Sequence, residues 1–218
     1  MQAGTINGQS FTPYKKEAFN HTYNLLFCDN LELFRTENNK PQGPWETLFA
    51  ASPDSAGLRA IAEDESQESR LRVLAYNRLR EKKEPVPPKK LLGVIIEVGL
   101  ENGLDVLAAF PDGRVRYINH SEKMSIFETS PPEIQTKIRK LLDASQPVVE
   151  KIGPWEKARL APPRTGTIRM TFLVSDGLYF GQGPIDAMQR EAMAGPIIAA
   201  SFGLLQAVVN KTLETSKK

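Results

Sequence analysis

A chain of 218 residues, 40% hydrophobic and 25% charged, is long and apolar enough to bury a core without disulfide or metal staples. Lys and Arg exceed Asp and Glu by 28 − 26 = 2, which gives no electrostatic case for nucleic acid as a partner. The single cysteine excludes an intramolecular disulfide and fits a reducing compartment, so a cytoplasmic location is expected.

Residues 1–18 are polar and turn-rich, and are expected to lie on the surface as an arm. They lack the apolar core of a secretory signal. From Phe19 to Arg35, the residues Tyr23, Leu26, Phe27 and Leu31 fit one helical face, with Phe34 following; a strand through Tyr23–Phe27 competes with that helix. Cys28 continues the apolar run from Leu25 and reads as a buried, inert thiol rather than a nucleophile. Residues 36–44 are a loop by composition. A short helix is expected from Trp45 to Ala51. Ser52-Pro53-Asp54 then opens another, with Ser52 as N-cap. A longer helix is expected from Ser66 to Lys82, with Leu71, Leu74, Ala75, Arg78 and Leu79 on one stripe and acidic residues preceding basic ones.

Residues 82–90, KKEPVPPKK, interrupt the helical pattern, since prolines exclude helix and favour an extended chain. The connector separates an N-terminal arm and helical region, 1–84, from a sheet domain, 85–218; one continuous globular domain is the other arrangement. The stretch Leu91–Glu128 carries the strongest structural signal. Three apolar runs are joined by Glu101-Asn102-Gly103 and Pro111-Asp112-Gly113, whose Asn-Gly and Asp-Gly pairs suit tight hairpin turns. An antiparallel meander follows, with Met124–Phe127 as a short fourth strand. Leu91–Leu100 is apolar on both faces apart from Glu97, the pattern of a central, doubly covered strand. Gly93 and Gly99 mark bulges or a close approach.

Thr129-Ser130-Pro131-Pro132-Glu133 starts a helix with a stripe of Ile134, Ile138, Leu141 and Leu142, which Pro147 is expected to end or kink. Residues 153–166 form a long structureless segment of the kind that is often functional or ordered by a partner. Thr167–Val174 and Leu178–Phe180 form a hairpin around Ser175-Asp176-Gly177. Gly181-Gln182-Gly183-Pro184 is expected as a strand-to-helix turn, leading into a helix over Ile185–Ala194. Gly195 breaks that helix, and a last helix runs from Pro196 to about Leu213. Apolar on nearly all sides, it is expected as a central core helix rather than a membrane span. The fold class is α+β: a mainly antiparallel sheet of five to six strands, an N-terminal helical region and covering helices. The order of hairpins and helices is similar to that of profilin-like, longin and roadblock modules, a likeness of topology that no motif carries.

Catalytic chemistry has few candidates. The two histidines, His21 and His120, form no metal-ligand spacing, and no nucleophile elbow occurs, so no catalytic residue, metal site or cofactor is expected. Candidate ligand-binding residues are His120 at a strand end, the strand arginines Arg114, Arg116 and Arg169, and the glycine turn Gly181, Gln182 and Gly183, whose amides could face an anion. Trp45 and Trp155, each in a Gly-Pro-Trp-Glu sequence, are candidate partner-binding residues. The expected function is that of a non-enzymatic cytosolic binding or adaptor protein with a protein partner or self-association, and neither nucleic acid nor membrane. The alternative is a small-molecule or nucleotide-binding enzyme or sensor, with a pocket between the meander and the last helix.

Overall fold

The computed structural model describes residues 8–36 and 41–215; the remainder of the expected surface arm and of the 36–44 loop lies outside the described residues. Four helices come first: α1 (Glu17–Leu25), α2 (Pro44–Phe49), α3 (Ser55–Glu63) and α4 (Ser69–Glu81). The meander is β1 (Leu91–Leu100), β2 (Gly103–Ala109), β3 (Val115–Ile118) and β4 (Met124–Phe127). After it come α5 (Pro132–Lys151), β5 (Thr167–Val174), β6 (Gly177–Pro184), α6 (Ile185–Arg190) and α7 (Ala194–Thr215). All six strands join one antiparallel sheet in the order β4-β3-β2-β1-β5-β6. The α+β architecture is as the sequence predicts.

The two turn glycines set the meander's register. Gly103 and Gly113 take φ of +137° and +86°, which L side chains resist, so each hairpin closes where its glycine stands. With the register fixed, alternation assigns the faces. Leu92, Ile95, Val106, Ala108, Phe110 and Leu173 point to one side, where α1, α3 and α4 cover them. Val94, Ile96, Leu107, Met170 and Phe172 point to the other, under α5 and α7. β1 is therefore central and covered on both faces, which explains its nearly continuous apolar run.

Several local expectations are corrected. The helix begun near Phe19 stops at Leu25, because Cys28 adopts a φ of +52° and turns the chain into a 3-10 turn at Leu31–Phe34. Asp54, not Ser52, caps α3, its Oδ2 accepting from Gly57 N at 2.8 Å. Pro147 does not end α5, which continues to Lys151 with Val148 and Val149 buried beyond the proline. Gly181 and Gly183 lie inside edge strand β6 rather than in a turn. The last helix begins at Ala194 and carries Pro196 in its first turn, where a missing N–H costs nothing. It is the one helix among the described residues long and apolar enough to cross a membrane; in the fold it packs against the sheet and α5 through Ile197, Ile198, Leu204 and Val208.

The proline connector has a structural task. Lys89 Nζ donates to the carbonyls of Val149, Glu150 and Ile152 at 3.1, 2.6 and 3.1 Å. An ammonium at a helix C-terminus satisfies orphan carbonyls and complements the dipole, worth about 0.3–1 kcal/mol. Ser175 Oγ accepts from Lys90 N at 3.1 Å, so the connector is fixed to the β5–β6 turn as well.

Candidate functional site

The segment 153–166 forms neither helix nor strand, and its prolines keep it extended. It is nonetheless firmly held. Gly166 N donates to Gly99 O at 2.9 Å, and a Cβ on Gly99 would collide with the Arg164 carbonyl, so glycine permits the crossing. Trp155 N donates to Leu178 O at 2.7 Å, and Pro154 lies against Gly177. Between these attachments Arg159 turns inward. Its side chain is 3% exposed, and its Nε donates to Asp29 Oδ2 at 2.7 Å. Its Nη2 donates to Gln9 O at 2.8 Å and Asn24 Oδ1 at 2.9 Å, and the guanidinium stands 3.9 Å from the Phe27 ring centroid. The segment is thus a strap pinned to β6 near one end and to β1 at the other, with Arg159 anchoring its middle to the N-terminal region.

Beneath the strap is a cleft of about 520 Å³. Phe27, Val73, Leu173, Leu178 and Trp155 give it an apolar lining. Its polar groups come from Asp29 and Arg159, from Asn77, Arg80 and Glu81 on α4, from Asp176 in the β5–β6 turn, and from Glu156 and Lys157 on the strap. Most are already engaged. Arg80 Nη1 donates to Ser175 O and Nη2 to Asn77 Oδ1, both at 2.9 Å. Asp176 Oδ2 accepts from Tyr179 Oη at 3.0 Å. Two buried carboxylate oxygens, Asp29 Oδ1 and Asp176 Oδ1, have no hydrogen-bond partner. Burial pushes the Asp29 carboxyl above the ordinary carboxylate value, against the opposing pull of Arg159; burial lowers Arg80, while Asp176 holds its charge in place.

A second polar assembly lies under the same segment, on the same sheet face. Glu97, 0% exposed on β1, accepts from Tyr23 Oη at 2.7 Å and forms an ion pair with Arg169 Nη1 at 3.5 Å. Arg169 also donates to Gln182 Oε1 at 2.9 Å, Leu160 O at 3.2 Å and Ala161 O at 2.6 Å. Arg159 Nη1 reaches Tyr23 Oη at 3.5 Å, linking this assembly to the cleft.

The residues singled out in the sequence divide by location. Trp155 lines the cleft, its ring edge-on to Phe180 at 5.0 Å and its Nε1 donating to Ala158 O at 3.0 Å. Trp45 lies elsewhere, stacked on Phe49 at 5.2 Å beside a cavity of about 260 Å³. Arg169 and Gln182 meet, as described above. Arg114 and Arg116 share Glu128 at 2.9 and 2.7 Å, and Arg114 also pairs with Asp112 at 3.1 Å. These three arginines do not form one basic patch: Arg116 and Arg169 share a face but stand on β3 and β5, with β2 and β1 between them. His120 closes the β3–β4 turn, where Asp105 Oδ1 accepts from its backbone N at 2.7 Å and meets its Nδ1 at 2.8 Å. Four strand spacings separate β3 from β6, roughly 19 Å at about 4.8 Å each, so His120 and Gly181–Gly183 share no cleft. Gly181 faces open space, and Gly183 lies under Met188. Between the meander and α7 lies a cavity of about 20 Å³, beside Tyr117 and Leu205.

Asp29, Arg80, Arg159 and Asp176 are site residues that sequence reasoning missed. Asp176 precedes a turn glycine, which accounted for it without the cleft. Arg159 lies in a segment with no periodicity, 130 residues from Asp29. Cys28 is 1% exposed, and burial pushes its thiol well up, which suits an inert side chain. Among the described residues no three His, Cys, Asp or Glu side chains gather closely enough to hold a metal. No family model, curated protein or solved structure matches the chain.

Proposed function

We propose that the protein is a binding module that holds a compact ligand in the cleft beneath the 154–159 strap. The observation that supports this is the cleft itself. Its volume of about 520 Å³ falls in the ordinary range of roughly 300–1,000 Å³ for ligand sites, and a mainly apolar lining with a few placed polar groups is their usual makeup. Trp155 supplies a built-in reporter. In a Trp45→Phe background it is the only indole, so a metabolite screen can read its fluorescence alongside the melting temperature. A bound ligand is expected to shift both, with stabilisation near 2.7 kcal/mol at about 100 Kd. A Trp155→Ala variant is expected to lose at least tenfold in affinity. Ligands that stabilise the protein without touching Trp155 fluorescence would place binding elsewhere and refute the cleft.

A separate surface favours self-association as a second reading. On α7, Phe202 and Leu213 are 46% and 56% exposed, and with Gln206 and Val209 they lie on one helical face. A dimer that buries this face is expected to dissociate in a Phe202→Glu variant. Light scattering during size exclusion checks it: a wild-type protein that is monomeric at all concentrations removes this reading.

A further inference from the structure

We propose that the open edge of β6 is an interface with a second copy of this chain, the two β6 strands pairing antiparallel about a twofold axis at Gly181. This surface is separate from the exposed face of α7. β6 is one edge of the sheet and runs for 8 residues, against 4 for β4 at the other edge. Hydrogen bonds at its two ends fix which backbone groups point outward. Ile185 N donates to Gly166 O on the β5 side, and Trp155 N donates to Leu178 O from outside the sheet. The register with β5 is unbroken from Gly177 to Pro184. Tyr179, Gly181 and Gly183 therefore turn their N–H and C=O groups to β5, while Leu178, Phe180 and Gln182 turn theirs outward. Among the described residues nothing partners the outward backbone groups of Phe180 and Gln182. Edge strands are usually protected by lysine, proline or a bulge. From Gly177 to Gly183 the sequence GLYFGQG has no lysine or proline, and the pairing has no bulge.

The occupant follows from the symmetry of what is left open. The unpaired stretch is bounded on one side by Trp155, which already holds Leu178 O, and on the other by Pro184, which has no N–H. Gly181 is its centre. An antiparallel copy centred there sets Phe180 of each chain opposite Gln182 of the other, as hydrogen-bonded pairs, and Gly181 opposite its own counterpart. At the ends, Leu178 of one copy meets Pro184 of the other. An acceptor that is already engaged then faces a residue with no donor, so the ends match as well. The flanking segments also leave by opposite faces. Trp155 packs on Phe180, which shares its side of the sheet with Leu178 and the N-terminal helices. Pro184 leads into α6, whose Met188 covers Gly183 on the side of α5 and α7. A twofold axis normal to the sheet keeps those sides apart. Nothing stands within 4 Å of a Cβ placed on Gly181, so the centre of the edge is uncovered. A strand from an unrelated protein would have to turn away at both boundaries, which a second copy does by its own sequence.

Light scattering over a concentration series, together with cross-linking, tests the pairing. Gly181 has no positive φ and has open space beside it, so substitutions there are expected to leave the fold intact. Wild type is expected to dimerise with concentration. Gly181→Lys, which sets like charges directly opposite each other across the axis, is expected to weaken the dimer at least tenfold. Gly181→Cys is expected to give a covalent dimer on oxidation with diamide. Paired Cα atoms at a position without hydrogen bonds lie roughly 4.5 Å apart, within disulfide reach. Gln182→Cys is expected not to cross-link, because its two copies would stand roughly 8 Å apart on the diagonal. Cys28, 1% exposed, stays out of the reaction. A chain that is monomeric at every concentration overturns the proposal and leaves the edge to a strand of another protein. A dimer that Phe202→Glu dissolves and Gly181→Lys leaves intact overturns it in favour of α7. Cross-linking of Gln182→Cys as readily as Gly181→Cys overturns the axis at Gly181.

Discussion

An Arg159→Ala variant is expected to lose about 3–5 kcal/mol of folding stability, the usual loss when one partner of a buried ion pair is removed. The largest contribution comes from what stays behind. Asp29 already has one oxygen without a partner, and loss of the 2.7 Å bond from Arg159 would leave its buried carboxylate without a countercharge. Gln9 O and Asn24 Oδ1 would each lose a donor, and the Phe27 ring its covering guanidinium. Arg159→Lys is expected to recover little, because an ammonium cannot reproduce three donors in a plane that also stacks on an aromatic ring. Urea unfolding measures the loss, and hydrogen exchange across residues 153–166 reports whether the strap detaches first. A loss below about 1 kcal/mol would mean that the pair behaves as a surface pair does.

What the sequence revealed and what it hid follow from the range of the interactions. The meander was legible because each of its determinants is local: Asn102-Gly103 and Asp112-Gly113 close their hairpins within a few residues, and alternation then assigns the faces. The helix over 132–151 was legible from its stripe, and Pro147 does not end it because tertiary burial of Val148 and Val149 outweighs the loss of one backbone hydrogen bond. His120 could not be interpreted alone, since its partner Asp105 is 15 residues away across the sheet. Asp105 is itself fully engaged there, accepting from Tyr117 Oη at 2.7 Å and from the His120 backbone. The cleft was hidden because its walls come from five separated segments, and the residues that pin the strap share no spacing that a helix or strand would impose. One signal was available. Glu97 was the only charge in an otherwise apolar central strand, and a charge there requires partners from another element.

Those partners make Glu97 the second site of large effect. Glu97→Ala is expected to cost about 3–5 kcal/mol at neutral pH, since Arg169 would lose its countercharge and Tyr23 its acceptor in a site closed to water. Glu97→Gln should behave differently. An amide keeps an acceptor for Tyr23, and Arg169 retains Gln182, Leu160 and Ala161, so its loss at neutral pH is expected to be much smaller. The two variants therefore separate the hydrogen bond from the charge. Burial raises the Glu97 carboxyl above its ordinary value of 4.5, and the nearby Arg169 and Tyr23 only partly oppose this. The folded state thus binds the proton more tightly than the unfolded chain does. Its contribution to stability is complete below the ordinary value and is lost as pH rises through the raised one. Asp29, raised by burial as well, acts in the same direction and is present in both proteins, so the difference between wild type and Glu97→Gln isolates Glu97. That difference, measured by urea unfolding at a series of pH values, is expected to move in favour of the glutamine variant as pH rises above 4.5. A difference that stays flat, or moves toward wild type, would mean that Arg169 and Tyr23 together match or outweigh the effect of burial on Glu97.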